Sequence, residues 1–468
     1  MASKRISQET FDDAVQENVE EFCMEPDEAL EDAIKQFESQ GIDLSNIIKS
    51  VRLGGDGDGR ERNMRSLLLW RSNDLLEEDG EESEVTECLN KFRAECDMDF
   101  SHRSLAATKQ AYPMLYKLYV KFKDNPDVLY QVILSMAAFF NGQPDVIDQK
   151  GIELLYSLLK DHAESPKLSQ VLIKTIRITC FMHENNRQAY VKEGLIASLI
   201  QVLQTHKKCS GVVKEACQGL RILTADDDVR VAFGHAHEHA KMIVEEGALK
   251  TLLGIMAEHT GDVATMSELC ATLSRLAVRN EFCQEIVDLG GLKLVLQALV
   301  ENMEQQVIVK QVFAVLKAIA GNDNVKVAIV EAGGISAMLN AMNLQQSQPQ
   351  VCENGCAAMA AISLRNPGNC KVIMESGGAA VIIQVMKIHK DESKVQKQAC
   401  MAVRSLVVRT KEYIEPFLEL GAESLINQAR ARHHKMLDDE AKAALRDLGC
   451  KVELRELWKG EKTPMTLA

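Results

Sequence analysis

One glycine recurs along the C-terminal two-thirds of the chain at an almost fixed interval. Gly151, Gly194, Gly247, Gly290, Gly333, Gly377 and Gly421 stand in register, separated by 43, 53, 43, 43, 44 and 44 residues. Four residues before each glycine lies an apolar or aromatic side chain: Ile147, Tyr190, Ile243, Ile286, Ile329, Ile373 and Phe417. Five residues after it come Tyr156, Leu199, Leu252, Val295, Met338, Ile382 and Ile426. Seven such coincidences are not a chance pattern. A helix-compatible period of about 40–47 residues marks a helical solenoid, in which each unit buries its apolar face only against its neighbours.

Within one period the chain reads as a short helix ending at the glycine, a second helix, a polar loop and a longer apolar helix. VDLGGLKLVLQAL and VEAGGISAMLNAM carry the junction, where glycine permits a positive φ and a close approach of helix backbones. VFAVLKAIAGNDN and CAAMAAISLRNPGN carry the third helix, with small residues at helical spacing. The repeated form I-V-x-x-G-G-[LI]-x-x-[LM]-[LI] followed by A-x-x-x-L-x-x-[LI]-A resembles the armadillo family over roughly residues 105–460. The resemblance implies an all-α, right-handed superhelical solenoid whose third helices line a concave groove. The expected organisation is a helical N-terminal segment at 1–50, an acidic, partly disordered linker at 51–104, the solenoid at 105–460 and a disordered tail at 461–468. AYPMLYKLYVKFKDNPDVLYQVILSMAAFF is expected to be an early repeat that has lost its glycine.

The charge of −14 is unevenly spread. Residues 1–100 hold 27 acids and 11 bases, so the rest, with 41 acids and 43 bases, is nearly neutral. No broad basic excess points to nucleic acid. The N-terminus lacks the apolar run of a secretory signal, and no stretch of about 18 uncharged apolar residues predicts a membrane span. Thirteen cysteines without a C-x-x-C pair argue for reduced thiols. The expected setting is cytoplasmic, nuclear or both.

The expected function is a non-enzymatic scaffold or adaptor for protein partners, binding an extended segment along the groove. Armadillo receptors for basic peptides carry Trp and Asn ladders there; here the Asn position is filled by Ala138, Ile178, Ile222, Arg275, Ala318, Ala361 and Ser405. The two tryptophans, Trp70 and Trp458, lie outside the marked repeats. A nuclear-transport peptide receptor, the alternative reading, is therefore disfavoured. One position earlier stand Arg177, Arg221, Lys317 and Arg404, which with Arg275 predict a basic stripe for an acidic partner segment. The acidic residues 74–87 are a candidate intramolecular competitor.

Cys217, Cys270, Cys356 and Cys400 recur on successive third helices as packing residues. The 53-residue interval carries about ten extra residues that include FGHAHEHAKM. An alternating His235, His237 and His239 run is either an unmodified surface loop or an extended segment with its imidazoles on one side, which invites a metal reading, but its HAH also resembles the motif modified by protein-histidine methyltransferases. That resemblance implies a methyltransferase as partner and His237 or His235 as acceptor. No nucleotide loop, nucleophile elbow or H-E-x-x-H is present, and GGDGDG at 54–59 lacks the residues that would complete a phosphate or calcium loop. No catalytic residue, metal or cofactor is expected.

Overall fold

The computed structural model describes residues 4–20, 24–49 and 82–452, and the chain divides into two units, residues 1–251 and 252–468. The described residues form 26 α-helices, with one isolated bridge between Lys4 and Ile42 and no other strand pairing among them. This is the all-α solenoid that the repeat predicts.

In the first unit, helices Gln8–Glu20 and Pro26–Ser39 close around a small core of Phe11, Val15, Ala29, Ala33, Leu44 and Ile47. The expectation of a linker running to residue 104 does not hold beyond 81. Glu82–Met98 is a helix that buries Val85, Cys88, Leu89, Phe92 and Cys96 and packs on helix Pro126–Phe140. Most of its charged residues are exposed, though Arg93 reaches Gln131 of the packed helix at 3.0 Å, and this acidic outer face is why the segment reads as linker by composition alone. Residues 51–81 and the tail at 461–468 lie outside the described residues.

Each repeat places its third helix beside that of its neighbour. In the first unit the row is Glu82–Met98, Pro126–Phe140, Pro166–Cys180 and Ser210–Leu223. In the second it is Val263–Leu276, Gln306–Ile319, Pro349–Ser363, Ser393–Val407 and His434–Asp447. Proline opens three of these helices, where its missing N–H costs nothing. The side chains of Asn125, Ser165 and Asp262 accept from the free backbone N–H groups of theirs. Gln306–Ile319 buries Ile308, Val309, Val312, Phe313, Val315, Leu316 and Ile319, and leaves Gln311 and Lys317 toward solvent. Burying one side chain of Phe313's size contributes about 1.5–3 kcal/mol.

At three junctions the glycines work in pairs, Gly290–Gly291, Gly333–Gly334 and Gly377–Gly378. Gly333 takes φ 77°, which a side chain resists, and Gly334 opens the second helix so close to the first that a Cβ would lie 2.7 Å from the Ile329 carbonyl oxygen. Ile329 is the apolar residue four positions before Gly333, so the sequence coincidence is this contact. Gly151 departs from the pattern. It sits inside helix Gln149–Asp161, where Asp148 caps its N–H at 2.9 Å and the Tyr112 hydroxyl crowds it. In the repeat before it, Gln110 adopts the left-handed conformation, φ 64°, without a glycine. Among the described residues no single helix is long and apolar enough to cross a membrane.

Two substitutions of one kind should therefore act in opposite directions. Gly334→Ala drives a methyl into the Ile329 backbone and lowers stability by about 1–3 kcal/mol. Gly254→Ala, on an exposed helical turn with open space around it, raises it by about 0.5–1 kcal/mol. The midpoints of thermal unfolding check both; a Gly334→Ala protein that melts with the parent contradicts the close-approach account.

Candidate functional site

The predicted basic stripe lies on the third helices, but its members differ in what they touch. Arg177 is half-buried and donates from Nε and Nη2 to Glu215 on the next third helix, at 3.3 and 3.2 Å. Arg221 is half-buried and also engaged. Arg404 is exposed, yet its Nε lies 2.9 Å from Asp447 of the following third helix. Lys397 pairs in the same way with Glu440 at 2.8 Å. Arg275 and Lys317 are exposed, and neither has an ion-pair or hydrogen-bond partner among the described residues. A second row was not anticipated: Gln311, Asn354 and Gln398 occupy one position on three successive third helices and are half-exposed. Their spacing of 43 and 44 residues is legible in the sequence, but they lie about two helical turns before the expected ladder.

The histidine insert is built differently from the extended run that the sequence suggests. His235 caps helix Ala236–Glu245, so His237 and His239 lie on its first turns and the three rings do not share one side. His239 is buried, with Nδ1 2.9 Å from the Leu223 carbonyl oxygen. His235 stacks on His239 at 6.0 Å, and its Nδ1 lies 3.2 Å from Glu184 Oε1 and 2.8 Å from Gln188 Nε2. His237 is exposed. Among the described residues no three His, Cys, Asp or Glu side chains converge to hold a metal.

Beneath the insert lies a buried ionic node that sequence reasoning missed. Arg187 is fully buried and donates to the Cys180 carbonyl at 3.1 Å, to the Ala225 carbonyl and to Asp227, with Glu184 3.6 Å away. Asp228 accepts from the Glu184 N–H at 2.9 Å and from Arg230 Nε at 2.8 Å, while Arg230 reaches Asp145 at 2.9 Å and the Met182 carbonyl at 2.9 Å. Hydrogen bonds from Arg230 hold the Asp228 carboxyl well below its usual range. Hydrogen bonds from His235 and Gln188 hold Glu184 low against the opposing effect of burial, the largest single influence on it.

Arg187 is one case of a repeated device. In the same register, Cys283, Lys326 and Cys370 offer their side chains to the Ala318, Leu364 and Ser405 carbonyls at 3.7, 3.0 and 3.8 Å, each one repeat ahead. The residue before them serves the preceding third helix: Asn186 donates to Thr179 at 2.7 Å and Asn369 to Ile362 at 3.0 Å, and His239 holds the equivalent place. At the end of the second helices, His206, Gln345, His389 and His433 contact carbonyls one repeat back, at 2.7, 3.1, 2.8 and 2.9 Å. The thiols are packing residues. Burial pushes Cys180 and Cys400 up to about 12 and Cys352 to about 11, so they stay protonated and poorly nucleophilic.

The comparisons agree with this architecture. The ARMC6 family model matches residues 74–466, and the model of the Armadillo repeat-containing protein 6 N-terminal domain matches residues 3–73. The chain is 46% identical over 475 residues to Armadillo repeat-containing protein 6 of Homo sapiens, covering 99% of this chain and 94% of that protein. It is 35% identical over 286 residues to the Armadillo repeat-containing protein 6 homolog of Drosophila melanogaster, covering 60% of each. Among solved structures, an engineered protein matches with TM-score 0.66 at 19% identity, covering 95% of this chain and 96% of that one. A structure described under the interaction between cadherin and beta-catenin matches with TM-score 0.55 at 15% identity, covering 82% of this chain and 69% of that one.

The node predicts a pH response of definite sign. Asp228 and Glu184 titrate below their ordinary range in the folded chain, so their anchoring is fully present at neutral pH and is lost as the pH falls below about 4. Asp228→Asn should weaken it at pH 7 by removing charge-assisted hydrogen bonds worth about 1.5–3 kcal/mol each. Hydrogen exchange over residues 184–188 and 226–235 should then be faster in the variant at pH 7 and converge with the parent in acid. Equal exchange at pH 7 would deny the node its anchoring role.

Proposed function

Starting from a chain that belongs to the Armadillo repeat-containing protein 6 family, we propose that it is a non-enzymatic protein-interaction scaffold that holds an extended partner segment across its third helices. The observation that carries this is the row of Gln311, Asn354 and Gln398. Half-exposed amides at one position on adjacent helices offer both donors and acceptors to a main chain laid across them. Ala314, one turn from Gln311 and partly exposed, leaves room for that chain. The likeness to a structure described by the interaction between cadherin and beta-catenin supports a protein as the partner. The protonated, buried thiols support a binding role over chemistry, and the free state of the described cysteines supports a cytoplasmic or nuclear setting.

A photo-crosslinking residue placed at Gln311, Asn354 or Gln398 in cells should capture partner protein, and the same residue at Lys293, exposed on a second helix, should not. Capture from Lys293 alone would move the working surface to the second helices and overturn this reading.

A second reading concerns His237, and its exposure on the first turn of helix Ala236–Glu245 favours it. A protein-histidine methyltransferase would transfer a methyl from a sulfonium donor to a ring nitrogen, with release of the ring proton. Because the contacts of His235 hold the insert helical, the enzyme must first loosen it. Incubation with S-adenosylmethionine and such an enzyme should add one methyl at His237, faster in Asp228→Asn; mass spectrometry showing the ring unmodified in both proteins rejects the reading.

A further inference from the structure

We propose that the partner segment on the third-helix face of residues 252–468 is acidic, with carboxylates about three residues apart, read by Arg275, Lys310 and Lys317. This rests on the third-helix reading above and adds the chemistry of the segment. The structure sorts the cations of that face into two groups. At its C-terminal end Lys397 pairs with Glu440, and Arg404 pairs with Asp447, which Arg446 shares, on helix His434–Asp447. Toward its start, Arg275 and Lys317 have no partner among the described residues, and Lys310 donates only to the uncharged Gln350 amide, at 3.2 Å.

The acids on the two helices that carry these cations and on the next one are few. Glu268 has an interaction of its own, and Glu353 is half-exposed one repeat beyond Lys310. Helices Val263–Leu276 and Gln306–Ile319 therefore carry uncompensated positive charge, and beyond them Lys394, exposed in the first turn of Ser393–Val407, adds to it. Seven residues separate Lys310 from Lys317, about 10 Å along a helix. Neighbouring helices lie about 8–10 Å apart. An extended chain crossing the helices advances about 3.3 Å per residue, so carboxylates at every third position match the interval between neighbouring helices, while Lys310 flanks that path on the same helix as Lys317. The amides of Gln311 and Asn354 lie beside the same path for the main chain.

Fluorescence anisotropy with the full chain tests this, using a labelled peptide that repeats Glu-Ser-Gly and its Lys-Ser-Gly counterpart. The Glu peptide should bind and the Lys peptide should not, and binding should weaken as salt rises. Arg275→Gln with Lys317→Gln should weaken the Glu peptide about tenfold, whereas Arg404→Gln, whose charge is already spent on Asp447, should change it less than about twofold. The neutral substitutions lie at exposed positions, and melting curves confirm that the variants fold. Binding of the Lys peptide as tight as the Glu peptide, no binding of either, or no effect of the double variant overturns the proposal. If crosslinks from Gln311, Asn354 and Gln398 persist in that event, the third-helix reading stands and only the acidity of the partner falls. Loss of both removes the reading itself.

Discussion

Each third helix ends in carbonyl groups that its own turns cannot satisfy, and the stacking of the repeats depends on who satisfies them. An isolated helix would leave those groups to water. In a packed row they are buried, where an unmet acceptor costs about 1–3 kcal/mol. The chain answers with side chains from the first helices before and after each one, while at the outer end of the second helices histidines and a glutamine meet loop carbonyls one repeat back. Apolar packing brings the helices together, but it is indifferent to small slides of one helix along another. The polar contacts fix the register, because a shift of one residue would break several of them at once.

The node around Arg187 is the same solution under a heavier load. At its position other repeats use Cys283, Lys326 or Cys370, each reaching a single carbonyl one repeat ahead. Where ten extra residues enter, a thiol could not secure them, and a guanidinium with several donors can. The charge then demands carboxylates, which Glu184 and Asp227 provide, and Asp228 extends the network to Arg230 and Asp145. The loop is thus held by ionic contacts beneath it while Val229 and Phe233 stay exposed above.

The repeat, its helical content and the junction were legible because glycine and isoleucine at fixed spacing report a backbone contact that few other residues allow. The same register held the cross-repeat donors, but His206, Gln345, His389 and His433 differ in residue type and share only a hydrogen bond, so inspection for identity passes over them. Gln110 shows the limit in reverse, since its left-handed backbone leaves no glycine to find. The helix Glu82–Met98 was hidden by composition, because only one of its faces is apolar. Of the five stripe cations, the sequence gives their positions but not the acids opposite Arg177 and Arg404, which lie 38 and 43 residues away and become neighbours only through stacking. The histidine run read as extended because alternation of two says nothing about a helix that starts within it.

The two sets of cross-repeat contacts also point in opposite directions along the chain. His206, His389 and His433 reach back to residues made earlier, so each bond closes as soon as its own helix is complete. Arg187, Cys283, Lys326 and Cys370 reach forward to carbonyls not yet synthesised. During translation, which releases the N-terminal part of a chain first, a repeat that carries both sets, as those of Arg187, Lys326 and Cys370 do, is therefore latched behind and open in front. The ribosome would always present one receptive end, and the array grows by docking each unit onto a neighbour that is already waiting for it.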